Sequence, residues 1–458
     1  MIIYNEILKT IKPSDEQRRK IEEFSQTLSN IILDYAKDKN IDINCRLVGS
    51  MAKKTSLINK ADIDMFMTFD LSFNEEELKK YGLEFGKHCI ETLNGKSELR
   101  FASHPYITGF IDGYEIDFVP CYRIKDSSEL KSAVDRTILH TDYIQSHLTD
   151  EQADEVLLLK KFMSCVNTYG ANYKVSGFSG YLCELLILEY KTFENVLYNA
   201  ANNWHNMTRI DLEEYGTSGN FKDPLIVIDP VDKNRNVAAA LSMQKFNEFI
   251  IAARNFLEDK DKLKFFQKHE INTTACELKE VFKKRKTKCY ILSISVPDLP
   301  TDVIYPQVNK TMNSLKRVSE MYDFSLLNTS YYLHDNKAYI ILEYEYDILP
   351  DVKIHNGPRI ADKINSQNFK NKYPDAFIMN DKYVNISPRK YKTVNEMINE
   401  VLKPENMSIL KLGKNIKEEI INTGYNLSGV DEFIDNDAKC EDIDEIFLYL
   451  HPNYNIER

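Results

Sequence analysis

Three patterns predict a multidomain α+β fold for this 458-residue chain. Strand-like alternation runs between residues 46 and 120, apolar stripes at helical spacing occupy about 146–258, and a strand–helix–strand–strand order spans 290–345. Length alone suggests about three domains with a substantial buried core. The patterns divide the chain into a mixed segment 1–145, a helical segment 146–258 and an α+β segment 259–458 whose inner boundaries the sequence does not place.

Taken in order, Ser14-Asp15-Glu16-Gln17 reads as a capping box opening a helix to about Lys39, with Ile21, Phe24, Leu28, Ile31 and Ile32 on one face. Arg46–Val48, Ile63–Phe69 and Glu115–Pro120 read as strands, and a helix between Glu75 and Asn94 is the natural cover for their sheet. Val156, Leu159, Phe162, Met163 and Val166 form one helical stripe; Phe178, Tyr181, Leu182, Leu185, Leu186 and Glu189 form another. A further helix is expected to begin at Asn236, in Asn-Val-Ala-Ala-Ala-Leu, placing Arg235 in a first turn where a cation opposes the helix dipole. That misplacement favours a functional Arg235. Tyr290–Val296, Val308–Met321, Leu326–Leu333 and Tyr339–Glu345 give a β-α-β-β order, half of a ferredoxin-like domain. Beyond Leu349, Pro358, Pro374 and Pro388 punctuate short strands and helices.

Composition narrows the functional classes. The eight cysteines are scattered with no Cys-x-x-Cys spacing, against both a zinc site and a secreted disulfide framework, and they read as reduced thiols of a cytoplasmic protein. No run approaches the roughly 20 apolar residues of a membrane span, and no targeting segment is evident. A formal charge of −11 repels polyanions at long range, so any nucleic-acid site must be local. Candidates are Lys53-Lys54, Lys160-Lys161 and Lys283–Lys288 with Lys310, Lys316 and Arg317, although each basic run alone fits a solvated surface at least as well.

The chemistry concentrates between Val48 and Met65. In Asp62-Ile63-Asp64-Met65, alternation sends both aspartates to one face and Ile63 and Met65 to the core. Tyr114–Val119 repeats the pattern and brings Asp117 alongside if the two strands are neighbours; Glu115 shares that face and is the rival third carboxylate. Clustered carboxylates call for cations. Attack of a hydroxyl on an α-phosphate develops charge on the attacking and leaving oxygens, which two Mg²⁺ ions about 3.5–4 Å apart stabilise. Aspartate oxygens suit that hard ion. Gly49-Ser50, with eleven residues between Ser50 and Asp62, supplies a turn whose backbone can approach a phosphate closely.

This arrangement resembles the signature of the polymerase β nucleotidyltransferase superfamily. His140-Thr-Asp-Tyr143, Glu155-Val-Leu-Leu-Leu-Lys160, Tyr169-Gly-Ala, Gly177-Phe-Ser-Gly180-Tyr-Leu-Cys-Glu-Leu-Leu and Asp229-Pro-Val-Asp-Lys-Asn-Arg235 are similar, in order and spacing, to archaeal-type (class I) CCA-adding tRNA nucleotidyltransferases. The match extends, more loosely after residue 245, to Phe447-Leu-Tyr-Leu-His-Pro452. The resemblance implies a polymerase β-type head, a helical neck, a ferredoxin-like or RRM-like body with an α+β tail, and Mg²⁺-dependent addition of the tRNA 3′-CCA from CTP and ATP. A homodimer is a further family expectation.

Carried over residue by residue, the resemblance makes Asp62, Asp64 and Asp117 metal-binding and catalytic, with Asp117 aligning or deprotonating the tRNA 3′-hydroxyl. It places Gly49, Ser50, Lys53, Thr137, Lys160 and Tyr169 at the triphosphate, His140 near the nucleotide and Arg235 at the incoming base. His140 equally fits a buried structural histidine bonded to backbone. Lys53 stands where the family usually has arginine, keeping the charge and losing the bidentate fork, and Met51 stands where an aromatic is common. Two alternatives stay open: another enzyme of the superfamily, such as an oligonucleotide synthase or a tRNA-extending toxin, and a catalytically inactive RNA-binding relative. The three intact aspartates weigh against inactivity, because a non-catalytic scaffold has no reason to keep repelling carboxylates together.

Overall fold

The computed structural model describes residues 2–58, 62–101 and 105–458. The chain forms two compact units, residues 1–269 with 453–458, and 270–452. Among the described residues no helix is long and apolar enough to cross a membrane.

The first unit opens with helices α1 (Ile2–Ile11) and α2 (Asp15–Asp38). The capping box expected at Ser14 and Gln17 is present, with both reciprocal bonds formed. Strand β1 (Ile43–Val48), the short helix α3 (Gly49–Ala52), strand β2 (Ile63–Phe69), helix α4 (Glu75–Thr92) and strands β3 (Lys96–Phe101), β4 (Pro105–Ile111) and β5 (Tyr114–Tyr122) follow. The five strands form one sheet in the order β1-β2-β5-β4-β3, with β2 and β5 parallel and the other neighbours antiparallel. Ile63, Met65, Met67 and Phe69 are buried with α2 and α4 on one face. Phe66, Val119 and Cys121 are buried on the other, against Val134 and Ile138. Burial on both faces explains the near-continuous apolar run of β2 after Asp64.

Helices α5 (Arg136–His147), α6 (Asp150–Cys165), α7 (Gly180–Tyr190) and α8 (Phe193–Asn202) come next. The stripe expected around Phe178 to Glu189 is broader than one face. Phe178 precedes α7, and every residue from Leu182 to Leu188 is buried, including Glu184. The helical segment 146–258 also carries a small sheet of β6 (Thr208–Ile210), β7 (Leu225–Asp229) and β8 (Asp232–Asn236), ordered β6-β7-β8, that the helical stripes did not announce. The helix expected from Asn236 is absent. Asn236 ends β8, its amide donating to Asp223 and to the Leu225 carbonyl while its oxygen accepts from the Val227 and Ala238 amides. These four bonds override the helix propensity of the alanines. Helix α9 (Met243–Glu258) starts only at its N-cap Ser242. Arg235 therefore lies on a strand, and the helix-dipole argument for it falls.

In the second unit, helix α10 (Ala275–Arg285), strand β9 (Lys288–Ser295), helix α11 (Thr301–Met321) and strands β10 (Leu326–His334) and β11 (Lys337–Tyr344) realise the expected β-α-β-β order. Strand β12 (Val352–Arg359), helix α12 (Lys363–Lys372) and strands β13 (Phe377–Met379) and β14 (Lys382–Pro388) make a separate three-stranded sheet, ordered β12-β14-β13. Helices α13 (Val394–Val401) and α14 (Lys414–Thr423) and strand β15 (Asn426–Gly429) return the chain to the first sheet, ordered β10-β11-β9-β15 and antiparallel throughout. Strand β15 with α14 completes the ferredoxin-like βαββαβ pattern of which the sequence displayed half. Helices α15 (Val430–Asn436) and α16 (Cys440–Leu450) pack with α10 on the sheet face carrying Cys289, Ile291 and Ile341.

Candidate active site

Register brings the carboxylates together. Asp64 on β2 is paired with Asp117 on the parallel β5, and Val48 on β1 is opposite Asp64, so the chain leaves β1 through Gly49 at the level of the aspartates. Gly49 has φ of +72°, and a Cβ there would collide with Asp64 Oδ2. Only glycine satisfies both constraints without strain. Ser50 follows in α3, whose Ala52 carbonyl accepts from Gln145 Nε2 of α5. Asp62 is exposed just before β2; Asn59, Lys60 and Ala61 ahead of it lie outside the described residues.

The electrostatics separate Asp117 from its rival. Glu115 is ion-paired with Arg100, which also holds Glu98 at 3.2 Å. Asp117 instead accepts from Thr108 Oγ1 at 2.5 Å. Burial pushes the Asp64 carboxyl up to about 7, reinforced by Asp117 and Asp62 and opposed by Lys53. Burial also raises Asp117, against the opposing hydrogen bond from Thr108. Each facing carboxylate makes the other harder to ionise. Among the described residues no three ligating side chains already close around a common point. The donor set nonetheless fits a divalent cation: all oxygen, in register, and with Arg100 ion-paired to Glu115 and Glu98 rather than to either aspartate.

A second cluster is built around two buried acids. Glu184 of α7 accepts from Lys53 Nζ at 2.6 Å and from Thr55 Oγ1 at 2.6 Å, with Lys160 Nζ 3.6 Å away. Lys160, on α6, donates to the Thr55 carbonyl at 2.8 Å and is 2% exposed. Burial opposes ionisation of Glu184, yet Lys53 and Lys160 hold its carboxyl below the usual range. Lys160 and Tyr169 converge on the start of α7, where a Cβ on Gly180 would stand 3.3 Å from the Tyr169 hydroxyl and 3.5 Å from Lys160 Nζ. Lys53 and Lys160 thus lie inside the protein, held by Glu184, and do not form a surface patch with Lys54, which pairs with Asp150.

Asp229, at the end of β7 and fully buried, is the second acid. It accepts from His140 Nε2 at 2.8 Å, Arg235 Nη1 at 2.8 Å, Tyr181 Oη at 3.2 Å and the Val231 amide at 3.2 Å. The partner of His140 is therefore a carboxylate rather than backbone. Its ring stacks on Tyr181 with centroids 3.9 Å apart, and the Lys53 ammonium lies 5.6 Å from that same tyrosine ring. Thr137 lies one turn before His140 on α5. Arg235, about one-third exposed, lines a cavity of about 470 Å³ with Arg136, Ser179, Phe221 and Asn234.

Asp229, Glu184 and Tyr181 organise these clusters, and the sequence motifs that contain them had given none of the three a site role. The available signal was a lone acid inside Leu-Cys-Glu-Leu-Leu and another ending Leu-Ile-Val-Ile-Asp, since a charge in an apolar run needs a buried partner. In the second unit, the basic stretch is partly consumed internally: Arg285 pairs with Glu343 and Lys283 with Glu280. Lys279, Lys283, Lys286 and Lys288 line a cavity of about 720 Å³ there, together with Asp347, Asp431 and Asp435.

Comparison with known proteins places these features in a family. Residues 29–140 match the nucleotidyltransferase domain, 154–267 the second domain of tRNA nucleotidyltransferase, and 285–429 the C-terminal domain of the CCA-adding enzyme. The CCA-adding enzyme of Methanothermobacter thermautotrophicus is 42% identical over 457 residues, 99% of each chain. That of Methanocaldococcus jannaschii is 36% identical over 423 residues, 89% of this chain and 92% of the other. A solved cytoplasmic RNA terminal U-transferase aligns with a TM-score of 0.46 at 14% identity, over 58% of this chain and 98% of that one. With three domain matches in order and identity of this level along the whole chain, the protein belongs to the CCA-adding enzyme family.

Proposed function

We propose that this chain adds or repairs the 3′-terminal CCA of tRNA without a nucleic-acid template, from CTP and ATP. The observation that carries the reading is the in-register pair Asp64 and Asp117 beside the Gly49 turn, in the same unit as the Arg235 cluster. The tRNA 3′-hydroxyl oxygen forms a bond to the α-phosphorus, the bond from that phosphorus to the bridging oxygen breaks, and pyrophosphate leaves with the electron pair. Asp117 aligns the hydroxyl or takes its proton. Asp62, Asp64 and Asp117 would hold Mg²⁺, which when bound lowers the cost of charge on the attacking and leaving oxygens. Gly49 and Ser50 receive the triphosphate, with Thr137 and Tyr169 beside it. Lys53 and Lys160 contribute positive potential from beneath that surface, since Glu184 and Thr55 occupy their ammonium groups. Arg235 donates to acceptors on the incoming base.

In this reading residues 1–145 carry catalysis, 146–258 recognise the base and 259–458 bind tRNA, in a cytoplasmic homodimer. Local basic surface must then overcome the net charge of −11. The deciding experiment incubates purified protein and an Asp64→Ala variant with Mg²⁺, each nucleoside triphosphate singly and together, and a tRNA transcript lacking its last three nucleotides. Sequencing of the 3′ ends is expected to show C, C and A added in that order, then a stop, with nothing added by the variant. Runaway tails, other bases or products formed without tRNA would overturn the proposal. Light scattering of the purified protein checks the dimer.

A further inference from the structure

We propose that Thr108 is a positioning residue that holds Asp117 by one carboxylate oxygen and so presents the other oxygen to the cation and the attacking hydroxyl. The inference rests on the nucleotidyl-transfer reading above and adds to it what fixes the third carboxylate.

Strand register sets the geometry. Thr108 on β4 is directly opposite Asp117 on β5, and Asp117 is paired in turn with Asp64 on β2, so the three side chains form one row across the sheet. Thr108 is fully buried, and its Oγ1 lies 2.5 Å from Asp117 Oδ1. An ionised carboxylate can only accept, so the hydroxyl donates. A buried hydroxyl needs a partner within the protein, and the β-branched side chain on a strand has few rotamers through which to seek another. Among the described residues Asp117 has no other hydrogen-bond partner, which leaves Oδ2 for the reaction.

The acids around this row are occupied elsewhere. Glu98 on β3 is the register partner of Thr108 on its other side, and Glu115 lies two residues before Asp117. Arg100 is ion-paired with both glutamates, so the hydroxyl is left to the aspartate. The choice of donor matters. A guanidinium or ammonium would orient Asp117 equally well and would also cancel the charge that a cation needs; a neutral hydroxyl orients the carboxylate and leaves its charge intact.

The test compares Thr108→Val, which keeps the branched shape and removes the donor, with Thr108→Ser, which keeps the donor. Mn²⁺ alone is titrated into each purified protein and the free ion followed by electron paramagnetic resonance, with Asp64→Asn marking binding elsewhere on the molecule. In parallel, kcat is measured on a tRNA transcript lacking its last three nucleotides, and thermal melting checks folding. Thr108→Val is expected to weaken Mn²⁺ binding and to lower kcat, each by about tenfold or more, the scale on which partners of ligating side chains act. Thr108→Ser is expected to recover most of both. A merely structural threonine would shift the melting temperature alone, so a folded Thr108→Val protein with wild-type Mn²⁺ affinity overturns the inference, as does a serine variant that recovers nothing. Thr108→Ala decides by the same readouts should the valine variant not fold. Wild-type protein that binds Mn²⁺ and extends no tRNA would overturn the proposed function, and the Mn²⁺ titrations would then decide the role of Thr108 by themselves.

Discussion

Asp64 and Asp117 in the five-stranded sheet, and Asp229 at the end of β7 and Glu184 on α7, are all aspartate or glutamate held away from bulk water, yet burial is met with opposite outcome in the two pairs. Asp64 and Asp117 face one another, and their carboxyls are pushed up, Asp64 to about 7. Asp229 and Glu184 sit deeper and are nevertheless held down, because His140, Arg235, Lys53 and Lys160 surround them. The difference is where the countercharge comes from. The second pair is neutralised by the chain's own basic side chains and so organises them; the first pair has no cation paired to it among the described residues, which is what the proposed metal site requires.

That contrast is broken most directly at Asp64. Asp64→Asn should lower the rate of nucleotide addition by at least roughly 10²–10³-fold, the scale on which loss of one electrostatic stabiliser is felt. It should also raise the melting temperature by about a few degrees in EDTA, because one of two facing charges is gone. A variant that is both inactive and less stable would place Asp64 with the structural acids. Glu184→Ala should do the reverse, leaving two buried ammonium groups without their carboxylate. Destabilisation of about 3–5 kcal/mol is expected, read as a lowered urea midpoint with an unchanged slope. Retention of wild-type stability would mean that Lys53 and Lys160 find other partners.

The two acid pairs were unequally legible in the sequence, for a physical reason. The aspartates of β2 and β5 announce themselves through period-2 alternation, a local signal, and their pairing needed only the assumption that two strands are neighbours. The Ser14 capping box was legible on the same local grounds. Glu184 and Lys53 are 131 residues apart, and neither stretch shows that the other exists. Arg235 was placed on a helix because the alanine run after it has high helix propensity. The strand is imposed instead by bonds from Asn236 to Asp223 and Leu225, which no local pattern reveals. In the second unit the half-motif β9-α11-β10-β11 was readable, while β15 reaches the same sheet only after the inserted β12-β14-β13 sheet.

Gly49 sharpens the comparison at intermediate scale. Gly49→Ala introduces a Cβ into Asp64 Oδ2 at a backbone position with φ of +72°. The strain should cost about 1–2 kcal/mol of stability. The displaced carboxylate should weaken the dependence of activity on Mg²⁺ concentration, shifting the half-saturating concentration upward by roughly tenfold, a shift equivalent to 1.4 kcal/mol. A melting shift with unchanged Mg²⁺ dependence would show that Asp64 recovers its position without the glycine.

The smallest effect is expected at Glu115, two residues before Asp117 and on the same strand face. Its charge is answered by Arg100 at a partly exposed pair, so Glu115→Gln removes an interaction of about 0–1 kcal/mol and should change kcat by no more than a few-fold. Asp117→Asn, measured beside it, should approach the loss seen for Asp64→Asn. The pair of measurements separates position from chemistry. Both residues are acids that point the same way from β5, and only Asp117 has Asp64 as its register partner and no arginine paired to it among the described residues. Equal losses would mean that Arg100 releases Glu115 during the reaction and that the catalytic face holds four carboxylates.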